Sequence, residues 1–230
     1  MAAPIRIAVD GMGGDFGPRL AFEACCIFLQ NQPGAEIDFF VTEPWVAPEN
    51  LASRMCIITC PQAVLASDSP QLVVRRKRDS SMGQALAALR AGSVCACLSS
   101  GNTGGLVMLA AHILGMQAGV HRPVLCTRVP TQTGFTWLLD LGGVLMPDAQ
   151  RLVEYAHLGA QQAACSLGRR VSVGLLNIGK EAHKGTEVVR QAAEYLAAKA
   201  EFEYVGFIEP AGLFAGKADV VVYDGLAGNL

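Results

Sequence analysis

Two stretches of this chain carry residues whose types and spacing suit anion chemistry. Ser99-Ser100-Gly101-Asn102-Thr103-Gly104-Gly105 follows an apolar run, Val94 to Leu98, and precedes an apolar helix expected over 103–116. A strand feeding a helix through such a loop aims unpaired N–H groups and the positive end of the helix dipole at one spot. Glycines let the backbone approach a bound group, while Asn102 and Thr103 add side-chain hydrogen bonds. Phosphate or a thioester carbonyl suits this loop; so does an ordinary turn with Thr103 as helix N-cap. The second stretch is Asp10-Gly11-Met12-Gly13-Gly14-Asp15-Phe16-Gly17-Pro18. It is not the dinucleotide fingerprint, because Phe16 stands where the third glycine belongs. Asp10 and Asp15 also put carboxylates where a pyrophosphate needs N–H groups. The loop reads either as a polar cradle for a ligand or metal, or as a turn capped by two aspartates.

Other chemistries lack their residues. There is no Gly-x-Ser-x-Gly elbow, no His-Glu-x-x-His, no Walker loop and no His-x-x-x-x-Asp pair. His112 and His157 sit in helical patterns and His121 at a turn, which leaves His183, beside Lys184, as the one histidine to test. None of the eight cysteines forms a Cys-x-x-Cys pair, so they read as buried free thiols of a reducing compartment, with no metal site. A ready-made nucleophile that the protein only has to position fits this inventory. Phosphate is such a nucleophile.

The elements that must position these groups alternate between strand and helix. Strands are expected at 5–9, 36–41, 55–59, 94–98, 124–129, 136–141, 171–176, 204–208 and 218–223, with helices between most of them. A proline-punctuated helix is expected before Arg54, and Ser81 with Gln84 has capping-box spacing for a helix ending near Gly92. After Pro18, Leu20, Ala24 and Phe28 recur at helical spacing alongside Ala21, Cys25 and Leu29. The alternation implies an α/β fold: a three-layer, mostly parallel sheet with helices on both faces, read as one domain over 1–230. Four strands end in glycine- and Asn/Asp-rich loops, at 10–18, 99–105, 177–186 and 224–229. In an open parallel sheet such loops meet in one crevice, where ligands bind.

The composition agrees. Hydrophobic residues make up 51% and charged residues 17% of 230, which excludes disorder. A net charge of −2 provides no general field for nucleic acid. The first residues enter a strand directly and the longest apolar helix is too short to span a bilayer, so a cytoplasmic protein is expected. Arg75, Arg76, Lys77 and Arg78 form either a solvated helix face or a docking patch for an acidic partner.

Taken in order, the motifs resemble a known family. Val9 to Pro18, Arg76-Lys77-Arg78-Asp79-Ser80-Ser81-Met82, Ser99 to Gly104, Leu175-Leu176-Asn177-Ile178-Gly179, Lys184-Gly185 and Ala218 to Asn229 are similar to the PlsX family of phosphate acyltransferases over nearly the whole chain. The resemblance implies a fold like that of phosphotransacetylases and isopropylmalate-type dehydrogenases. It also implies transfer of a long acyl group from acyl-carrier protein to inorganic phosphate, without a cofactor, by a homodimer loosely associated with the membrane. On it, Asn102, Thr103 and Lys184 are the candidate catalytic residues. Asp10, Gly13, Gly14, Asp15, Ser99, Gly101, Gly104, Asn177, Gly185, Asp224, Gly225 and Asn229 are candidates for binding substrate or phosphate, and Arg75 to Arg78 for docking the acidic carrier. The chain departs from the family at Val144 and Met146, where polar groups are usual, and at Gly212, where an aspartate is usual; it stops at Leu230 where the family continues. Those departures motivate an alternative, a non-catalytic relative that binds acyl-carrier protein or an acyl ligand. A dehydrogenase of similar fold is a third reading, weakened by the missing fingerprint.

Overall fold

A computed structural model describes residues 4–142, 147–179, 185–199 and 201–223. They fall into two compact units, Met1–Arg122 and Pro123–Leu230.

In the first unit, β1 (Ile5–Asp10), β2 (Ala35–Val41), β3 (Met55–Thr59) and β4 (Ala96–Ser99) form an all-parallel sheet in the order β3-β2-β1-β4. Successive side chains of a strand point to opposite faces, so each face needs its own helices. On one face α1 (Gly17–Asn31) packs Cys25 and Leu29 against Val9, Ile37 and Phe39. On the other, Ala85 of α3 (Ser81–Arg90) meets Ala8 and Phe40. Val73 of α2 (Pro70–Arg76), Met82 of α3 and the fully buried Leu109 of α4 (Thr103–Leu114) share a further cluster.

In the second unit the order is β5-β6-β9-β7-β8, built from β5 (Cys126–Thr131), β6 (Gly134–Leu139), β7 (Ser172–Leu176), β8 (Glu203–Ile208) and β9 (Val220–Val222). Among the described residues of this unit, only the β5–β6 pair is antiparallel. Helices α5 (Ala149–Leu167) and α6 (Glu187–Lys199) cover one face, and Leu213 of α7 (Pro210–Phe214) packs on the other.

The parallel α/β class is thus as the alternation implies, distributed over two sheets. Three local expectations change. The segment before Arg54 forms only a short 3-10 turn, Glu49–Leu51, because Pro44 and Pro48 interrupt it. Ser80, not Ser81, caps α3, accepting the Gly83 N–H at 3.2 Å. Cys56, Cys95, Cys126 and Cys165 are exposed, since β3 and β5 are edge strands and Cys95 and Cys165 lie near element ends. Among the described residues, no helix is long and apolar enough to cross a membrane.

Candidate functional site

The site in the first unit is assembled where β1 and β4 end. The register sets Asp10 opposite Ser99, and the Ser99 hydroxyl donates to Asp10 Oδ2 at 2.7 Å. Asp10 is 3% exposed and also accepts the Met12 N–H, at 3.3 Å, through Oδ1. Ser99 Oγ in turn accepts the Gly101 N–H at 3.1 Å. One buried carboxylate therefore orders both loops. Beyond it the loops touch: a Cβ on Gly13 would collide with the backbone of Ser100 and Gly101. Gly14 adopts φ +90° against the Ser100 side chain, a conformation that favours glycine.

The N-cap of α4 is Asn102 and not Thr103. Asn102 Oδ1 accepts the Gly105 N–H at 2.8 Å, while its amide nitrogen donates to the carbonyls of Leu65, Ala66 and Asp68. The Asn102 side chain is thus committed to backbone. What the helix presents at its mouth are the N–H groups of its first residues, Thr103 and Gly104, which no preceding turn can satisfy. Gly104 and Gly105 let α2 approach there, because a Cβ on either would press on Pro70 or Val73.

The basic cluster is divided between tasks. The Lys77 ammonium is half-buried and donates to the Ala63 carbonyl at 2.8 Å, with Asp68 at 3.7 Å, so Lys77 and Asn102 anchor the same 63–68 loop. Arg78 donates to the Val74 carbonyl, while Arg75 and Arg76 are exposed in the last turn of α2.

No thiol near this site is a ready nucleophile. Burial, reinforced by the charge of Asp10, pushes the Cys97 and Cys60 thiols up to about 11 each, so both are protonated at neutral pH.

In the second unit, Asn177 is buried at the end of β7. It accepts the Ile178 N–H at 3.0 Å and donates to the Gly179 carbonyl at 3.0 Å. Gly185, at φ +90°, lies so close that a Cβ there would strike the Asn177 amide. Gly212 is buried in α7. Lys184, His183, Asp224, Gly225, Asn229, Val144 and Met146 lie outside the described residues. The structure therefore brings Asp10, Gly13, Gly14, Ser99 and Gly101 together at the head of α4, with Thr103 and Gly104. It pairs Asn177 with Gly185, and leaves Asp15 exposed at the start of α1.

Sequence reasoning missed an apolar groove of about 630 Å³ that opens beside the glycine loops and runs along α1. Its signal was present in the second apolar stripe of that helix, Leu20, Ala24 and Phe28, which lines the groove while Leu29 fills the core.

The family model described as "Fatty acid synthesis protein" matches residues 5–230. The phosphate acyltransferase of Cellvibrio japonicus is 38% identical over 234 residues, covering 100% of this chain and 70% of the relative. That of Pseudomonas fluorescens is 40% identical over 232 residues, covering 97% and 68%. Among solved structures, the EutD phosphotransacetylase from Staphylococcus aureus superposes with a TM-score of 0.62 at 17% identity, covering 98% of this chain and 79% of that one, a likeness of fold.

Proposed function

The chain belongs to the phosphate acyltransferase family, and we propose that it moves a long-chain acyl group from an acyl-carrier-protein thioester to inorganic phosphate, giving acyl phosphate for phospholipid synthesis. The observation that carries this reading is the contact of the Asp10–Gly14 and Ser99–Gly101 loops at the head of α4. Phosphate seated on the Thr103 and Gly104 N–H groups is held by the positive helix end. One of its oxygens attacks the thioester carbonyl. The new C–O bond forms, the C–S bond breaks, and the carrier leaves as a thiol with the proton that phosphate gives up. Fixed N–H donors stabilise the charge that develops on the carbonyl oxygen, and holding both reactants in place removes most of the entropic barrier.

Asp10, Ser99 and Asn102 act as positioning residues, since each bonds to the backbone or side chain that shapes the loops. Thr103 is exposed at the helix mouth, where its hydroxyl reaches solvent and substrate. Lys184, Asp224 and Asn229 enter the proposal through their motifs, Lys184 as a cation for phosphate. Arg75 and Arg76 supply the exposed charge that docks the acidic carrier. The protein works as a cytoplasmic homodimer with loose membrane contact.

Phosphorus NMR of a mixture with long-chain acyl-carrier thioester and phosphate reads the reaction directly. Acyl phosphate should accumulate with free carrier thiol in equal amounts, and Lys184→Ala should lower the rate at least tenfold. Thiol release without acyl phosphate refutes the proposal.

A further inference from the structure

The basic run at 75–78 divides by direction. Arg75 and Arg76 are exposed, whereas the Lys77 side chain is only 19% exposed and reaches the 63–68 loop. Its ammonium donates to the Ala63 carbonyl at 2.8 Å and faces the Asp68 carboxylate at 3.7 Å. Asp68 closes the turn at 65–68 twice over: its Oδ2 accepts the Leu65 N–H at 2.8 Å, and its own N–H donates to the Leu65 carbonyl at 3.1 Å. Apolar packing adds little to this turn. Val64, just before it, is buried with Val73, Met82 and Leu109, but Leu65 and Ala66 are exposed.

The same turn sets the head of α4. The carbonyls of Leu65, Ala66 and Asp68 accept from the Asn102 amide nitrogen at 3.1, 3.3 and 2.8 Å. An amide turned the other way would press its oxygen against all three, so the turn holds Oδ1 on the Gly105 N–H. That cap fixes the helical turn whose Thr103 and Gly104 N–H groups would receive phosphate. Without Lys77, the Ala63 carbonyl loses its donor and the half-buried Asp68 carboxylate loses the cation beside it.

We propose that Lys77 is a positioning residue of the phosphate site, acting through the 65–68 turn and the Asn102 amide. The proposal rests on the reading of the α4 mouth as the seat of phosphate and adds to it the residue that holds that mouth in shape. A cation meant for the carrier would carry its charge outside, as Arg75 and Arg76 do.

Inorganic phosphate titrated calorimetrically into the full chain reads its Kd without turnover. Lys77→Met removes the charge and keeps much of the side-chain length. It should weaken phosphate binding about tenfold, the scale of effect when a supporting residue lets a bound group shift. Asn102→Ala should weaken it comparably, and Lys77→Met added to Asn102→Ala should change nothing more, because the lysine acts through the asparagine. Circular dichroism melts check the fold, and Lys77→Gln serves where Lys77→Met does not fold. Additive effects of the two substitutions overturn the proposal, as does a Lys77 variant with the phosphate affinity of the wild type. Steady-state kinetics read a docking role separately: a Lys77 variant that raises the KM for the carrier donor and leaves that for phosphate also overturns it. If the wild type binds phosphate but turns over no thioester, the acyl-transfer reading fails and the titration still decides the role of Lys77. A wild type that binds no phosphate overturns the proposal outright.

Discussion

At the end of β1, Asp10 sits almost fully buried and is held by the Ser99 hydroxyl and the Met12 N–H. At the start of β9, Asp219 is held by a bidentate Arg169, at 2.6 and 2.9 Å, and by the Ser172 N–H and hydroxyl. Both carboxylates tie neighbouring strands of a parallel sheet. Asp219 does so with a cation and closes the strand starts in a self-contained clamp. Asp10 does so with neutral donors and orders two glycine loops whose outward N–H groups stay open. The charged clamp stabilises; the neutral one builds a site. Where an anion is to bind, an arginine answering the aspartate would take the space of the loop N–H groups that donate to the ligand, and glycine supplies the close approach instead.

Replacement of Asp10 should have the largest effect. Asp10→Ala leaves the Ser99 hydroxyl and Met12 N–H without their buried acceptor, at a cost of about 1–3 kcal/mol, and unhooks both loops. A thermal melt and phosphate-dependent turnover should both fall, and Asp10→Asn, which keeps an acceptor, should recover most of the stability.

Asp219→Ala should cost stability of about 1–2 kcal/mol from the lost Ser172 bonds and leave the phosphate dependence of turnover as it is. Its pH signature is distinctive. Burial alone would raise the Asp219 pKa, but Arg169 and Ser172 outweigh it and hold the carboxyl below its ordinary range. The folded state therefore releases this proton more readily than the unfolded one. The resulting stabilisation is full above the ordinary carboxylate range and disappears as pH falls through the lowered value. Melts of wild type and Asp219→Asn should differ at pH 7 and converge toward pH 3.

The smallest effect should come from the surface. The double variant Arg75→Ala, Arg76→Ala removes two exposed charges and should alter stability by less than about 0.5 kcal/mol. The KM for the acyl-carrier donor should rise severalfold at low ionic strength and approach the wild type in high salt.

The loops were legible in the sequence because Gly, Asp and Asn are the residues such turns require, and the alternation of strands and helices placed them at strand ends. Their internal wiring was not. Asn102 reads as a ligand donor until its amide is seen bonded to carbonyls more than thirty residues away, a tertiary contact that no local pattern encodes. Lys77 likewise reads as one cation in a run of four, yet it anchors the 63–68 loop with Asn102. The groove was half legible: two apolar stripes on α1 were visible, but only the sheet geometry shows that one of them lines a groove. The spacing of Ser81 and Gln84 suggests Ser81 as the cap of α3; the extended backbone of Ser80 gives that place to its neighbour.

If contact between the two glycine loops builds the phosphate site, Gly13→Ala should disable it. Its added Cβ would strike the Gly101 backbone, so the loops must part while Asp10 and Ser99 keep their groups. The KM for phosphate, measured at saturating acyl-carrier thioester in Gly13→Ala and Asp219→Asn, gives the answer. It should rise at least tenfold in Gly13→Ala and stay unchanged in Asp219→Asn. A folded Gly13→Ala with the phosphate KM of the wild type would contradict that role of the loops.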